Sequence, residues 1–183
     1  MKFFGIFLAF LLSAVGLLGE TPEQVVEKYF AKVKTEGFAA IADLIHPAEV
    51  SKFKGMMAPV VADVLKSPEA ESFGAFASHS DPTLMAEMSD AHFLNLFMTW
   101  ASNAMPGLRQ MMADATVKPL GHVAEGDLRH VVVRLKAQKG EIEIEKLSVM
   151  SVKESEGQWM MTLSMEMMGV AEALRKHHGG NQR

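Results

Sequence analysis

The chain has no cysteine. This excludes a disulfide, a thiol nucleophile, a cysteine-held metal and lipid attachment through a processed cysteine. It has one tyrosine, Tyr29, so phenolic chemistry is confined to one position. It also lacks an excess of positive charge, with 18 basic residues against 22 acidic ones. A nucleic-acid partner, which needs a basic surface, is therefore not expected. No strong catalytic or cofactor motif occurs, and no cofactor or metal is expected.

What is present first is an apolar start. Lys2 precedes an unbroken apolar run from Phe3 to Leu12, and the small residues Ser13, Ala14, Gly16 and Gly19 follow. This pattern reads as a signal peptide over residues 1–19, with cleavage after Gly16 or Gly19 and a periplasmic or secreted destination. Continued through Leu18, the stretch reaches about 16 residues, near the lower limit for a span, so an uncleaved membrane anchor is the competing reading. Cleavage would remove Lys2, taking 18 basic residues to 17 against 22 acidic ones, a net charge of −5.

The remainder, 49% hydrophobic and 22% charged over the whole chain, can bury a core. Residues 20–178 read as one domain and 179–183 as a disordered tail. Thr21-Pro22-Glu23-Gln24 has the form of a capping box with proline at the first helical position. Val25, Val26, Tyr29, Phe30 and Val33 then recur at helical spacing up to Gly37. A short helix is expected over Phe38–Ile45, closed by His46-Pro47, and a third over Ala48–Lys66, interrupted or kinked at Gly55 and Pro59. His46 beside Asp43 invites a catalytic reading, but a helix-end histidine satisfying nearby carbonyls is the simpler one. Ser67–Pro82 reads as a loop or mobile flap, although Phe73 and Phe76 give it a means of docking on the core. Ser89-Asp90 starts the strongest helix, with Phe93, Leu96, Phe97, Trp100 and Ala104 as its apolar stripe. Leu108–Ala113 resumes it for about two turns after Pro106-Gly107.

From Thr116 the period changes to two. Thr116–Glu125, Leu128–Gln138, Glu141–Glu154 and Gln158–Met168 predict a four-stranded antiparallel meander, with Pro119 suiting an edge strand. A two-residue loop at Lys139-Gly140 sets Gln138 opposite Glu141, Lys136 opposite Glu143 and Arg134 opposite Glu145, so one face is charged and the other apolar. A second turn falls at Glu156-Gly157, after which Trp159, Met161, Leu163, Met165 and Met167 share a face. Val170–His178 closes the chain as a short helix or tail, and His177-His178 is a weak metal signal because adjacent residues diverge on a helix.

Helices followed by a meander make an α+β fold, with N-terminal helices packed on a curved four-stranded antiparallel sheet. With Thr21-Pro22-Glu23-Gln24-Val25-Val26, the turn Leu44-Ile45-His46-Pro47, the strand His130–Arg134 and the closing Gly157-Gln158-Trp159, the chain resembles the nuclear transport factor 2-like superfamily of cone-shaped domains over residues 21–176. The resemblance implies a sheet curled around a cavity with a helical opposite wall. It implies no one activity, since the superfamily holds isomerases as well as proteins that only bind.

Even positions of the third strand read Ile142, Ile144, Lys146, Ser148, Met150 and Val152. Two polar residues thus interrupt an apolar row, where an unpaired buried lysine would cost several kcal/mol. Either a bulge near Glu145–Leu147 turns Lys146 outward, or Lys146 and Ser148 line a wet cavity able to hold an anionic group. The bulge needs no ligand. Tyr29, Trp100, Lys146, Ser148 and Met165 are the candidate ligand-binding residues, with no catalytic residue assigned.

The expected function is that of an exported, non-catalytic domain binding a small apolar or anionic molecule or a protein. A homodimer through the sheet face is a further expectation, because Val132, Leu147 and Val149 are apolar on the side away from the core. Two alternatives remain: a cavity enzyme of the isomerase or dehydratase type using Tyr29 and an acid, and a Cu(I)-binding protein built on some of the 15 methionines. Core filling competes with the second.

Overall fold

The computed structural model describes residues 19–79, 81–107, 110, 114–139, 142–164, 167–169, 171–172 and 176. The architecture is α+β, with N-terminal helices packed on a four-stranded antiparallel sheet. Helix α1 spans Pro22–Glu36 and starts at the expected capping box: Gln24 N–H donates to Thr21 Oγ1 (3.3 Å) and Thr21 N–H to Gln24 Oε1 (2.8 Å). It ends at Gly37, whose φ of 85° suits glycine. A 3-10 segment, Phe38–Leu44, leads to α2, Pro47–Val64. Helix α2 runs unbroken through Gly55 and Pro59, so the expected interruption is absent. His46 caps it, its Nδ1 accepting from Ala48 N–H at 3.2 Å. Its role is to start a helix rather than to close one.

Where it is described, the segment expected to be a loop or mobile flap is largely helical. Two 3-10 stretches kinked at Phe73 occupy Pro68–His79, and α3, Pro82–Glu87, follows with Asp81 as its cap. Phe73 and Phe76 are buried, so aromatic docking supplies the order that local sequence does not. Lys54 ties this region to α2 by donating to the carbonyls of Ala86 (3.3 Å) and Met88, with Asp90 3.4 Å away. Helix α4, Asp90–Ala104, is capped by Ser89 as expected. It buries Phe93, Leu94, Phe97 and Met98, while Leu96 and Trp100 are half-buried.

The sheet comprises β1 (Thr116–Glu125), β2 (Leu128–Lys139), β3 (Ile142–Ser155) and β4 (Gln158–Met161), in the order β1-β2-β3-β4. Pro119 is on an edge strand, as expected. Three details of the meander differ from expectation. The β2–β3 register pairs Gln138 with Glu143 and Lys136 with Glu145, two residues from the predicted one. Because the slip is even, every side chain keeps its face. Arg134–Glu145 (3.0 Å) and Lys136–Glu143 (3.2 Å) still meet, now as diagonals. The Arg134 Nε has no hydrogen-bond partner among the described residues, so its approach to Glu145 is an ion pair only.

The bulge near Glu145–Leu147 does not exist, since β3 pairs with β2 without a break from Lys153 to Ile142. The register shift lies instead between Pro119 and Gly121 on β1, where a missing donor and a glycine at φ 133° favour it. Finally, β4 ends at Met161 rather than Met168. Thr162 N–H and Oγ1 both donate to Ser151 O (2.9 and 3.1 Å), and Ser164 Oγ then accepts from Met167 N–H, starting a helical turn. The β3–β4 turn is as expected, with Glu156 and Gly157 both at positive φ.

Candidate functional site

The helix-facing side of the sheet is where the cavity was expected. Val131, Val133, Val152 and Met161 join α1, α2 and α4 there in one buried cluster. Rings fill the space between α2, α4 and the 3-10 region: Phe53 meets Phe97 at 4.9 Å, Phe76 meets Phe93 at 5.4 Å, and Trp100 stacks on Phe73 at 4.3 Å and 17°. Trp100 therefore joins two segments, as the core reading of its stripe predicted.

The other described candidates, Tyr29, Lys146 and Ser148, lie on separate elements, α1 and β3. Tyr29 lies on α1 against Phe30 (5.5 Å, edge-on), and burial alone pushes its hydroxyl up to about 12. Lys146 and Ser148 stay in phase on the helix side, opposite Leu135 and Val133. Lys146 is nevertheless exposed, and Ser148 half-buried, because the β2–β3 hairpin runs past the helical layer. Glu143 through Leu147 are all exposed in consequence. The bulge explanation of Lys146 fails and the in-phase one holds for the row, with the lysine standing in water. Met165 lies outside the described residues. Met161 is buried, with Met150, Met167 and Met168 packed against the same core, which is the packing role expected of methionine. Among the described residues, no group of three or more His, Asp or Glu side chains is placed to hold a metal.

Two arrangements were missed from the sequence. A cleft of about 540 Å³, including its open mouth, lies between the start of α1 and β4 and is lined by Glu20, Lys28, Lys32, Asp43, Trp159 and Met160 among others. Its charges are already matched: Lys28 pairs with Glu20 at 3.0 Å and Lys32 with both Asp43 oxygens at 2.7 Å. Spacing of four between the lysines was the available signal, but their carboxylate partners come from other segments. Trp159 carries Arg129 over its ring at 5.1 Å.

The second arrangement is a polar chain across the outer face of the sheet. His130 Nδ1 lies 2.8 Å from Ser151 Oγ, and Nε2 lies 2.8 Å from Glu125 Oε2. Acid, imidazole and hydroxyl in series are chemically suggestive. Acyl transfer also needs donors converging on an oxyanion and a pocket for substrate, and His130 stands on an open strand face, where the chain ties β1, β2 and β3 together. On the helix side, His122 Nδ1 meets Glu23 Oε1 at 2.7 Å, joining α1 to β1 and holding the Glu23 carboxyl below its ordinary range.

The outer face carries the main anomaly of the molecule. Odd positions of β3 and even positions of β2 point there, away from Val131, Val133 and Val152. Val123, Leu147 and Val149 are 62%, 58% and 60% exposed, with half-buried Val132 between them. Ion pairs rim this stripe: Arg134–Glu145 and Lys136–Glu145 (3.1 Å) at one end, Lys153–Asp127 (2.8 Å) at the other. The Asp127 carboxyl is lowered and the Lys153 ammonium raised by that contact.

No protein-family model matches the chain, no curated protein does, and no solved structure does.

Proposed function

We propose that the chain is an exported, non-catalytic binding domain of the nuclear transport factor 2-like kind whose ligand is a protein, held on the outer face of the sheet. The observation that carries this reading is the exposure of Val123, Leu147 and Val149 on one face inside a rim of ion pairs. An apolar centre with a charged rim is the composition of a protein-binding patch. The packed aromatic interior favours the protein arm of the expectation over the small-molecule arm, since rings occupy the space between α2 and α4. Export rests on the sequence of residues 1–19. No helix among the described residues is long and apolar enough to cross a membrane.

A photo-activatable side chain at Val123, tested in the cell of origin, gives a direct check. The expected result is a discrete adduct of higher mass, absent when the same probe replaces solvent-exposed Lys66. No adduct at Val123 would end the reading.

A further inference from the structure

Strand β3 has a second open side. Strand β4 pairs only with Val152–Ser155, so among the described residues Ile142–Met150 has no strand on that edge. The phase of the free groups can be read from the chain. Ser151 turns its carbonyl to the β4 side, where Thr162 N–H takes it at 2.9 Å. By the period of two, Glu143, Glu145, Leu147 and Val149 present their N–H and C=O groups to the same open edge. Among the described residues no partner meets these backbone groups, and such a row beside exposed apolar side chains is a template for another strand.

We infer that this edge joins two copies of the chain, β3 to β3 and antiparallel, with the twofold axis at Leu147. The inference concerns a different surface from the outer-face reading and leaves that face free. Self-complementarity selects the occupant. With the axis at Leu147, Leu147 meets itself through a pair of mutual backbone hydrogen bonds. Glu145 stands opposite Val149 of the second copy, Lys146 opposite Ser148, and Ile144 opposite Met150. No like charges are directly opposed, and Ile144, 42% exposed in the single chain, gains an apolar neighbour. Moving the axis to Lys146 sets two lysines face to face, and moving it to Glu145 sets two glutamates so. Of the axes at Glu145, Lys146 and Leu147, only the last keeps like charges apart, so the edge charges that ordinarily block strand addition tolerate this register. The product is a single sheet continuous through both copies, with the outer stripes of Leu147 and Val149 merged across the axis.

The experiment uses the full chain, whose lack of cysteine makes any introduced thiol unique. Sedimentation over about 1–100 µM is expected to show a dimer. Leu147→Pro removes a donor that faces the open edge rather than β2, so it leaves the β2–β3 ladder intact and yields monomer. Leu147→Cys oxidises to a covalent dimer, because directly opposed hydrogen-bonded residues have Cα atoms about 5.5 Å apart, within disulfide reach. Val149→Glu places a second acid opposite Glu145 and weakens the dimer roughly tenfold, while Val149→Lys does not weaken it. Val123→Glu, on β1 and away from the edge, leaves the dimer unchanged but abolishes the Val123-face adduct measured in the cell with a probe at Val132. A monomeric wild type would overturn the inference while leaving the outer-face reading standing. So would a dimer that survives Leu147→Pro, or one lost to Val123→Glu, which would mark face-to-face packing instead.

Discussion

Val152 and Val149 belong to the same strand, three residues apart, yet one is fully buried and the other 60% exposed. Both favour a strand, and both are equally apolar. The difference lies in what stands over them. Val152 points to the helices and meets Val131, Met161 and the core, while Val149 points to a face over which no described segment lies. Burial is a property of the layer above a residue rather than of the residue, and an apolar side chain left uncovered is the better pointer to function.

This contrast can be broken most severely from the inside. Val152→Asp places an unpaired carboxylate in the core and is expected to abolish folding, seen as loss of a cooperative thermal transition by circular dichroism. Phe53→Ala, in the ring cluster, should cost about 3–5 kcal/mol in denaturant unfolding, with the slope unchanged. Thr21→Ala removes the α1 cap and should cost about 1 kcal/mol, whereas Thr21→Ser restores most of it.

A smaller effect comes from Glu23→Gln, which breaks the tie between α1 and β1. The loss should be about 0.5 kcal/mol or less, as for a partly exposed pair. Its pH dependence has a definite sign. The folded-state pKa of Glu23 is lowered by the His122 hydrogen bond, so its contribution is present above the unfolded value and disappears as pH falls through the folded one. Wild type and variant should therefore converge in stability once the pH has fallen through the folded value, below the ordinary glutamate range. The smallest effect belongs to the outer face: Val149→Asp should change the stability of the single chain by no more than about 0.5 kcal/mol. A large loss there would show that the face is covered and would erase the contrast with Val152.

Much of the fold was legible because it rests on short-range signals. The Thr21 and Ser89 caps, the stop at Gly37, the Glu156-Gly157 turn and the edge placement of Pro119 each depend on a few adjacent residues. Two of the misreadings involve partners from other segments. The segment 67–82 has the composition of a loop, but Phe73 finds Trp100 and Phe76 finds Phe93. The alternation past Met161 looked like more strand, yet Thr162 turns back to Ser151 and Ser164 starts a helical turn. The candidate site fared similarly. Tyr29 and Trp100 were placed on the right elements, but nothing in their spacing told that one would end beside Phe30 and the other on Phe73.

By itself, the sequence determined which residues share a face. Side-chain direction alternates strictly along a strand, so even a register error of two left Leu147 and Val149 together on one side and Ile144 and Lys146 on the other. Only the tertiary structure decided which of these faces and edges are covered, because that depends on where the helices end relative to the hairpin and on how far β4 reaches along β3. Both are outcomes of packing between segments distant in the chain, and no local pattern encodes them.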